Sequence, residues 1–517
     1  MTDNRTRQKS IILKLCLFAT GLAGIVAEFV LSTLASYLVG DSILQWSLII
    51  SLMLFSMGLG SFFTRFMVDN LFDKFIYTEY TLSIVCSISA GLSYFLAGYF
   101  PHIDLLIYVL AMLIGILIGL EIPLVTRINE AYEELRVNIS AVMQYDYLGS
   151  LAGGLLFSFV ALPKLGLTYT PIALGAINFF IALLLYWRFR DLTRRKLLIG
   201  ILGGIITIFI VGLLYVIEPI MLFSEQNQYK DKIIFQEQSP YQKIIVTQWK
   251  DFHWLFINQN VQFSSYDEWL YHEPLVHPAM ALSPHPANIL VLGGGDGLAV
   301  REILKYYSVK KITLVDLDPA MTKLGRFHHV FLKLNGGSLN DPRVTIYNQD
   351  AYRFLKHNST LYDVIIIDLP DPNNAELAKL YSRSFYATVK SHLAKYGVCV
   401  TQAADVSHAT KTFDCILKTM QAAEMTTLPY HNFVQTMGNW GWILGVRAES
   451  YTDEELKQKI TELKFEKVKT RFINPDAMQS MMNFGKGFID DLNEIEVNTE
   501  IRPILHQYYL QAYELTR

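Results

Sequence analysis

Cysteine is scarce: four residues in 517, Cys16, Cys86, Cys399 and Cys415. None has the spacing of a thiolate metal site or a redox dithiol. Two lie in long apolar stretches and two in the polar half, which excludes a disulfide framework. Basic runs are also missing. The net charge is only −3, and no arginine-rich arm stands out, so a nucleic-acid partner is not expected. No small-residue cleavage site follows the first apolar stretch, so the polar, basic segment 1–9 is read as leading into an uncleaved first helix rather than a signal peptide. What the chain has in excess is apolar residues, concentrated before about residue 223.

Seven apolar stretches occupy 11–38, 44–66, 80–100, 105–125, 147–162, 168–187 and 197–223. Each approaches or exceeds the roughly 20 residues a helix needs to cross a bilayer. The fifth is diluted by Gly149, Gly153 and Gly154. Basic residues favour the cytoplasmic side of short loops. They gather at the N-terminus (Arg5, Arg7, Lys9, Lys14) and in the second, fourth and sixth loops, the last with Arg188, Arg190, Arg194, Arg195 and Lys196. This bias puts the N-terminus in the cytoplasm, and an odd number of spans then puts the C-terminal half outside. Glu28 and Glu121 are intramembrane carboxylates, which face a cavity or partner, or sit near helix ends where their cost is lower. Gly58, Gly60 and 149–154 offer small-residue surfaces for close helix packing.

After a polar exit from the last stretch, 232–237, 243–249 and 254–263 are rich in β-branched and aromatic residues and read as an antiparallel β unit. Segment 267–282 has helical spacing and ends at Ser283-Pro284-His285-Pro286. The apolar run 289–292 then enters Gly293-Gly294-Gly295-Asp296-Gly297, and 298–307 has helical spacing. Strand, glycine loop and helix form a nucleotide-binding type of unit. Asp296 is the unusual member, because a carboxylate in that loop repels phosphate and suits a cation.

Strands are expected at 311–315, 344–347, 363–367 and 397–401, alternating with helices as in a parallel, doubly wound sheet. Acids at successive strand ends (Asp316, Asp350, Asp368, Asp371) therefore converge on one crevice. Asp316, about 20 residues past the glycines, suits a ribose hydroxyl contact. Any single one of these acids can instead be a helix N-cap, and the set could suggest a hard metal such as Mg²⁺. The metal reading is the weaker one, because no phosphate-binding loop is present to share the ion. Asp368 and Asp371, three apart, can divide the work of taking a proton and holding a cation.

Together Ser239-Pro240-Tyr241-Gln242, 258–262, Asp267-Glu268-Trp269-Leu270-Tyr271-His272-Glu273, the glycine loop, Asp316, Asp350 and Asp368-Leu369-Pro370-Asp371-Pro372 resemble the spermidine synthase family of aminopropyltransferases, in order over about 232–447. The spans before them resemble its bacterial subset with a membrane-embedded N-terminal domain. The resemblance implies transfer of an aminopropyl group from decarboxylated S-adenosylmethionine, a co-substrate and not a cofactor, to a diamine, putrescine by default. Neither metal nor covalent intermediate is implied. It implies Asp368 as general base, and a donor site of Gln242, Gly293, Gly295, Asp296, Asp316, Asp350 and Ala351. Tyr271, His272 and Asp371 would form the acceptor site. Two departures, the missing Gly-Pro after Pro372 and the missing downstream Tyr-Pro, both fall on the acceptor side. A methyltransferase on the same sheet, and a polyamine-binding transport or sensing protein, are the alternatives.

The expected architecture is a membrane α-helical bundle of about seven spans (1–223), a linker with a small antiparallel β unit (224–282), and a doubly wound, Rossmann-like α/β domain of the methyltransferase type (283–517). The expected setting is the cell membrane, multi-pass, with the side of the catalytic domain undecided. The expected partners are the small-molecule substrates, the lipid bilayer and further copies of the chain in a homodimer or higher homo-oligomer.

Overall fold

A computed structural model describes residues 2–39, 42–100, 102–486, 488–489 and 492–514. Contacts divide the chain into two compact units, Met1–Lys230 and Asp231–Arg517. The first is helical: α1 (Thr2–Leu38), α2 (Ser42–Phe63), α3 (Leu71–Ala97), α4 (Ile103–Asn129), α5 (Leu135–Leu156), α6 (Leu162–Arg188) and α7 (Lys196–Gln228). Six helical stretches among the described residues are long and apolar enough to cross a membrane, and one of these is the 54-residue run Leu135–Arg188.

The sequence suggests two separate spans inside that run, at 147–162 and 168–187. The structure instead joins α5 to α6 through a π-helical turn, Phe157–Ala161, and breaks the run within α6 at Gly166 (φ 62°, ψ −170°). A straight helix of that length would reach ~80 Å; this one doubles back. Gly149 abuts Phe18 and Gly153 abuts Leu22, and the Phe29 and Phe157 rings lie 5.5 Å apart, so α5 runs parallel to α1. Arg188 donates to Gln8 at 3.1 Å, while Leu184 and Ile177 lie beside Leu15, Cys16 and Ala19, so α6 runs antiparallel to α1. The outer surface is apolar, with Phe159, Trp187 and Ile208 each 74–76% exposed. Glu121 is buried, Glu28 half-buried, and Glu79, which apolar run length did not flag, is fully buried.

The second unit opens with an antiparallel meander, β1 (Lys232–Gln238), β2 (Lys243–Trp249), β3 (Phe252–Ile257) and β4 (Asn260–Ser264), in that spatial order. The single strand expected at 254–263 is therefore two. Asn258 and Gln259 both take positive φ (47° and 70°) and make a tight hairpin turn between them. Next come α8 (Trp269–Leu282), β5 (Asn288–Gly293), α9 (Leu298–Ile303), β6 (Lys311–Asp316), α10 (Pro319–Phe327), α11 (His329–Asn335), β7 (Val344–Asn348), α12 (Ala351–Lys356) and β8 (Tyr362–Asp368). The chain continues through α13 (Ala375–Ala378), α14 (Arg383–Ser391), β9 (Leu393–Asp405), α15 (Thr410–Ala422), β10 (Met425–Val434), β11 (Gly438–Arg447), α16 (Asp453–Thr461), α17 (Pro475–Met481) and α18 (Ile504–Glu514).

Strand order is β10-β11-β9-β8-β5-β6-β7. β5 to β9 pair in parallel, and the β10–β11 hairpin closes one edge antiparallel. Ile289, Leu290, Val291 and Leu292 are fully buried, as expected of a central parallel strand covered on both faces. The chain leaves β5 toward β6 on one side and returns to β8 on the other. The crevice at the carboxyl ends of β5 and β8 is thus the topological switch point, where such sheets bind ligands.

α8 is tied to distant parts of this unit by its acids and those just before it. Asp267 accepts from the Thr436 amide (2.8 Å) and hydroxyl (2.7 Å). Glu273, buried, accepts the backbone N–H groups of Arg471, Phe472 and Ile473 at 2.7, 2.8 and 3.0 Å. Glu273→Ala leaves those three donors without an acceptor, at roughly 1–3 kcal/mol per buried group. The amides of 471–473 are expected to exchange hydrogen at least about 100-fold faster in the variant. Hydrogen-exchange mass spectrometry of the full chain measures this, and unchanged protection would contradict the clamp.

Candidate active site

The crevice encloses a cavity of about 440 Å³, and all eleven residues singled out from the sequence line it. Its floor is set by backbone geometry. β5 and β8 are in register at Gly293 and Asp368. Gly293 has φ +82°, and a Cβ there would overlap the Asp368 carbonyl. A Cβ on Gly295 would come within 2.6 Å of the Asp316 carboxylate. The three-glycine loop therefore lets two strand-end acids approach the main chain. Asp296 is then turned inward, with its Oδ1 accepting from the Leu298 amide at 2.7 Å.

One nitrogen of His272 and one carboxylate oxygen each of Asp296 and Asp368 lie within 4.8 Å of one another. The Tyr271 hydroxyl donates to Asp368 Oδ1 at 2.7 Å. His272 Nδ1 faces the Glu268 carbonyl oxygen (2.9 Å) and Oε2 (3.1 Å), which leaves Nε2 for the two aspartates. Arg301 grips Glu268 through both carboxylate oxygens, at 3.0 and 2.9 Å. Burial penalises the Glu268 charge, but His272 and Arg301 outweigh it and hold the carboxyl down at about 2. Burial likewise pulls His272 down, yet the hydrogen bond and charge of Glu268, with Asp296 and Asp368, carry it above its usual value.

Burial raises Asp296. Burial and the neighbouring Asp296 push Asp368 up to about 6, against the lowering effects of His272 and the Tyr271 hydroxyl. Such a trio can hold either a metal or an organic cation. A second acidic cluster, Glu273, His277 and Glu302, is already satisfied: His277 bonds Glu302 (2.9 Å) and Tyr306 (3.0 Å), and Glu273 is the clamp described above.

Asp316 accepts from the Gly295 amide (3.0 Å) and the Asp318 amide (2.9 Å), while burial pushes it up to about 7. Asp318 caps α10 through the Ala320 amide (2.9 Å) and accepts from the Ser239 hydroxyl (2.7 Å). Ser239 also accepts from the Gln242 amide at 3.0 Å, so this one contact brings Gln242 to the cavity wall. Asp350 is exposed and caps α12 through the Arg353 amide at 2.6 Å. Its side chain is thus partly committed to the helix, although it borders the cavity beside buried Ala351.

On the far side, Asp371 accepts from Tyr509 (3.0 Å) and from Gln402 Nε2 (3.2 Å). Burial pushes it up to about 6 despite those two bonds. Gln402 also donates to the Leu369 carbonyl (2.8 Å) and the Tyr381 hydroxyl (2.7 Å). Trp440 lines the cavity, its ring 6.1 Å from that of Tyr271. Sequence reasoning did not assign Tyr509, Tyr381 or Trp440 to the site. Gln402 directly follows the strand expected at 397–401, but nothing local marks Tyr509, which reaches Asp371 from 138 residues away.

Residues 268–458 match the family model described as "Spermine/spermidine synthase domain". "Polyamine aminopropyltransferase 2" of Aquifex aeolicus is 41% identical, over 97% of this chain and 98% of that protein. "Polyamine aminopropyltransferase" of Oceanobacillus iheyensis is 37% identical, over 99% of each. Among solved structures, spermidine synthase from Thermotoga maritima is similar at 25% identity and TM-score 0.44, over 49% of this chain and 85% of that one. The likeness to the curated enzymes runs through both units. The chain belongs to the spermidine synthase family of polyamine aminopropyltransferases.

Proposed function

We propose that this aminopropyltransferase moves the aminopropyl group of decarboxylated S-adenosylmethionine to putrescine, giving spermidine and methylthioadenosine, with Asp368 as general base. The observation that carries the reading is the convergence of His272, Asp296 and Asp368 within 4.8 Å at the strand switch point. Donor and acceptor both bring cationic nitrogen, and the crevice offers acids that burial has already made costly to leave unpaired. Asp296 takes the ammonium of the aminopropyl arm. A carboxylate there disfavours ordinary S-adenosylmethionine, whose own carboxylate would face it, and this separates the reading from a methyltransferase. Asp316 takes the ribose hydroxyls, and Asp350 and Ala351 border the adenine. Gln242 and the meander close the cavity from the other side.

Asp371 holds the far end of the amine, with Tyr271 and His272 lining the acceptor path. Asp368 removes a proton from the near ammonium, and the freed nitrogen attacks the carbon beside the sulfonium. That carbon–sulfur bond breaks and neutral methylthioadenosine leaves, so no covalent enzyme intermediate arises. Tyr271 fixes the carboxylate's direction, which matters because much of a two-substrate acceleration comes from placement. An entering ammonium also draws His272 back toward its neutral form, since two cations cannot both share the same pair of acids.

The helical unit is read as a multi-pass domain in the cell membrane. With the chain reversing at Gly166, its seven legs make seven crossings, α5 and α6 supplying two of them. The supports are the lengths and apolar surfaces of these helices.

Asp368→Asn is expected to lower kcat by roughly 10²–10⁴-fold, the usual contribution of a positioned base, with formation of methylthioadenosine as the readout. Wild-type turnover with no amine of a diamine and polyamine panel would overturn the reading. The base works only when ionised, so kcat/KM should fall as pH drops through about 6 and level off above it, with Asp368→Asn keeping only the part of that limb due to Asp371. Asp296→Asn should weaken the decarboxylated donor by roughly 2–5 kcal/mol, the cost of breaking a buried charge pair, and methylthioadenosine far less. Equal losses for both ligands in calorimetry would refute the role of Asp296.

A further inference from the structure

The helical unit contains a second set of buried acids, which the transferase chemistry does not use. Glu79 of α3 is fully buried and Glu121 of α4 is 2% exposed. The two lie within electrostatic reach of each other, and Cys16 of α1 and Cys86 of α3 are within reach of both. Segments 15–64, 75–101, 103–126 and 165–187 contain no Lys, Arg or His, so these stretches supply them with no cation.

An independent observation comes from α6. Asn178 is fully buried, and neither its carbonyl nor its amide nitrogen has a hydrogen-bond partner. A Cβ on Gly175, one turn earlier, would overlap the Ser83 carbonyl and the Ser87 hydroxyl. The Tyr80 and Phe179 rings stack at 5.9 Å. These two contacts fix an antiparallel register that puts Asn178 on the face of α6 meeting the Glu79–Ser83 turn of α3. Ser83 and Ser87 continue that face, their hydroxyls equally unpartnered.

The unpartnered atoms are unbalanced. Once the two carboxyls are ionised, both oxygens of Glu79, one of Glu121 and the carbonyl of Asn178 only accept, whereas the one pure donor is the Asn178 nitrogen. Buried polar groups are normally satisfied, and intramembrane carboxylates mark ion or substrate paths. We propose that Glu79, Glu121, Asn178 and Ser83 form a binding site, within the helical unit, for a small monovalent cation: an alkali ion or the ammonium end of an alkylamine. All the donor atoms are hard oxygens, which suit either ligand. The site is separate from the crevice and does not depend on the aminopropyl-transfer reading.

The test uses the full chain in lipid nanodiscs, in an Asp296→Asn/Asp368→Asn background that removes two of the crevice acids; any change from the others, Asp316 and Asp371, persists in the Glu79→Gln and Glu121→Gln variants and is subtracted. Infrared difference spectra are recorded on adding sodium chloride or methylammonium chloride, against choline chloride at equal ionic strength. The expected result is loss of a protonated-carboxyl band and gain of carboxylate with sodium, with methylammonium or with both. That response should be abolished by Glu79→Gln and by Glu121→Gln, each checked for monodisperse elution. Asn178→Ala, which keeps both acids, should raise the half-maximal cation concentration at least tenfold. A response to sodium alone assigns an alkali ion, and one to methylammonium assigns an ammonium. No band change with either salt, the same change with choline, or an undiminished change in the Gln variants would overturn the proposal.

Discussion

The pairing of Gly293 with Asp368 is the constraint on which the crevice depends. Two parallel strands approach so closely at their carboxyl ends that a single added carbon would strike the neighbouring main chain. That approach brings Asp296 and Asp368, on separate loops, to the same point with His272. In water such a group of acids would separate or be screened. Here burial keeps them together, and the cost appears as carboxyls displaced upward and an imidazole that tends to hold its proton. A cationic ligand relieves that cost, which is electrostatic preorganisation built from strand geometry.

The short acidic segment entering α8 holds this arrangement in place. Consecutive polar side chains serve different tasks: Asp267 ties the β10–β11 turn, Glu268 orients His272 and is gripped by Arg301, Tyr271 aims Asp368, and Glu273 gathers the amides before α17. One helix edge thereby sets the direction of groups on both sides of the crevice. In the helical unit the same economy of polar groups is reversed. Glu79 and Asn178 are buried without partners, whereas in the crevice unit Glu273 and Glu302, buried outside the cavity, each accept bonds on both carboxylate oxygens.

Much of this was legible in the sequence wherever the signal was local. The glycine loop, Asp316 and the Asp368/Asp371 pair are short patterns at strand ends, and the doubly wound alternation places them on one edge without any long-range information. Apolar run length located the helices and left a break between 162 and 168, where Gly166 interrupts the helix, but it could not see that Phe157–Ala161 winds as a π-turn. Similarly, 254–263 reads as one β-rich run because Asn258 and Gln259 interrupt it by backbone conformation and not by composition. Asp350 shows the limit of the acid pattern, since its carboxylate caps α12 as well as bordering the cavity. Glu79 was missed because the third apolar stretch begins at residue 80, whereas α3 begins at Leu71. Tyr509 was missed because its partner lies on another element, far along the chain.

The separations bridged by these bonds carry a consequence for how the protein is made. Glu273 meets its amides across 198–200 residues, Asp267 meets Thr436 across 169, and Tyr509 meets Asp371 across 138. Closing such loops must precede the contacts that reward it, so they form late in folding. Asp371, for one, gains its Tyr509 bond only after the last helix has been made. During synthesis the helical unit has left the ribosome well before any of those closures is available. A chain without its last helix would lack the tyrosine that holds Asp371 from the far side of the crevice.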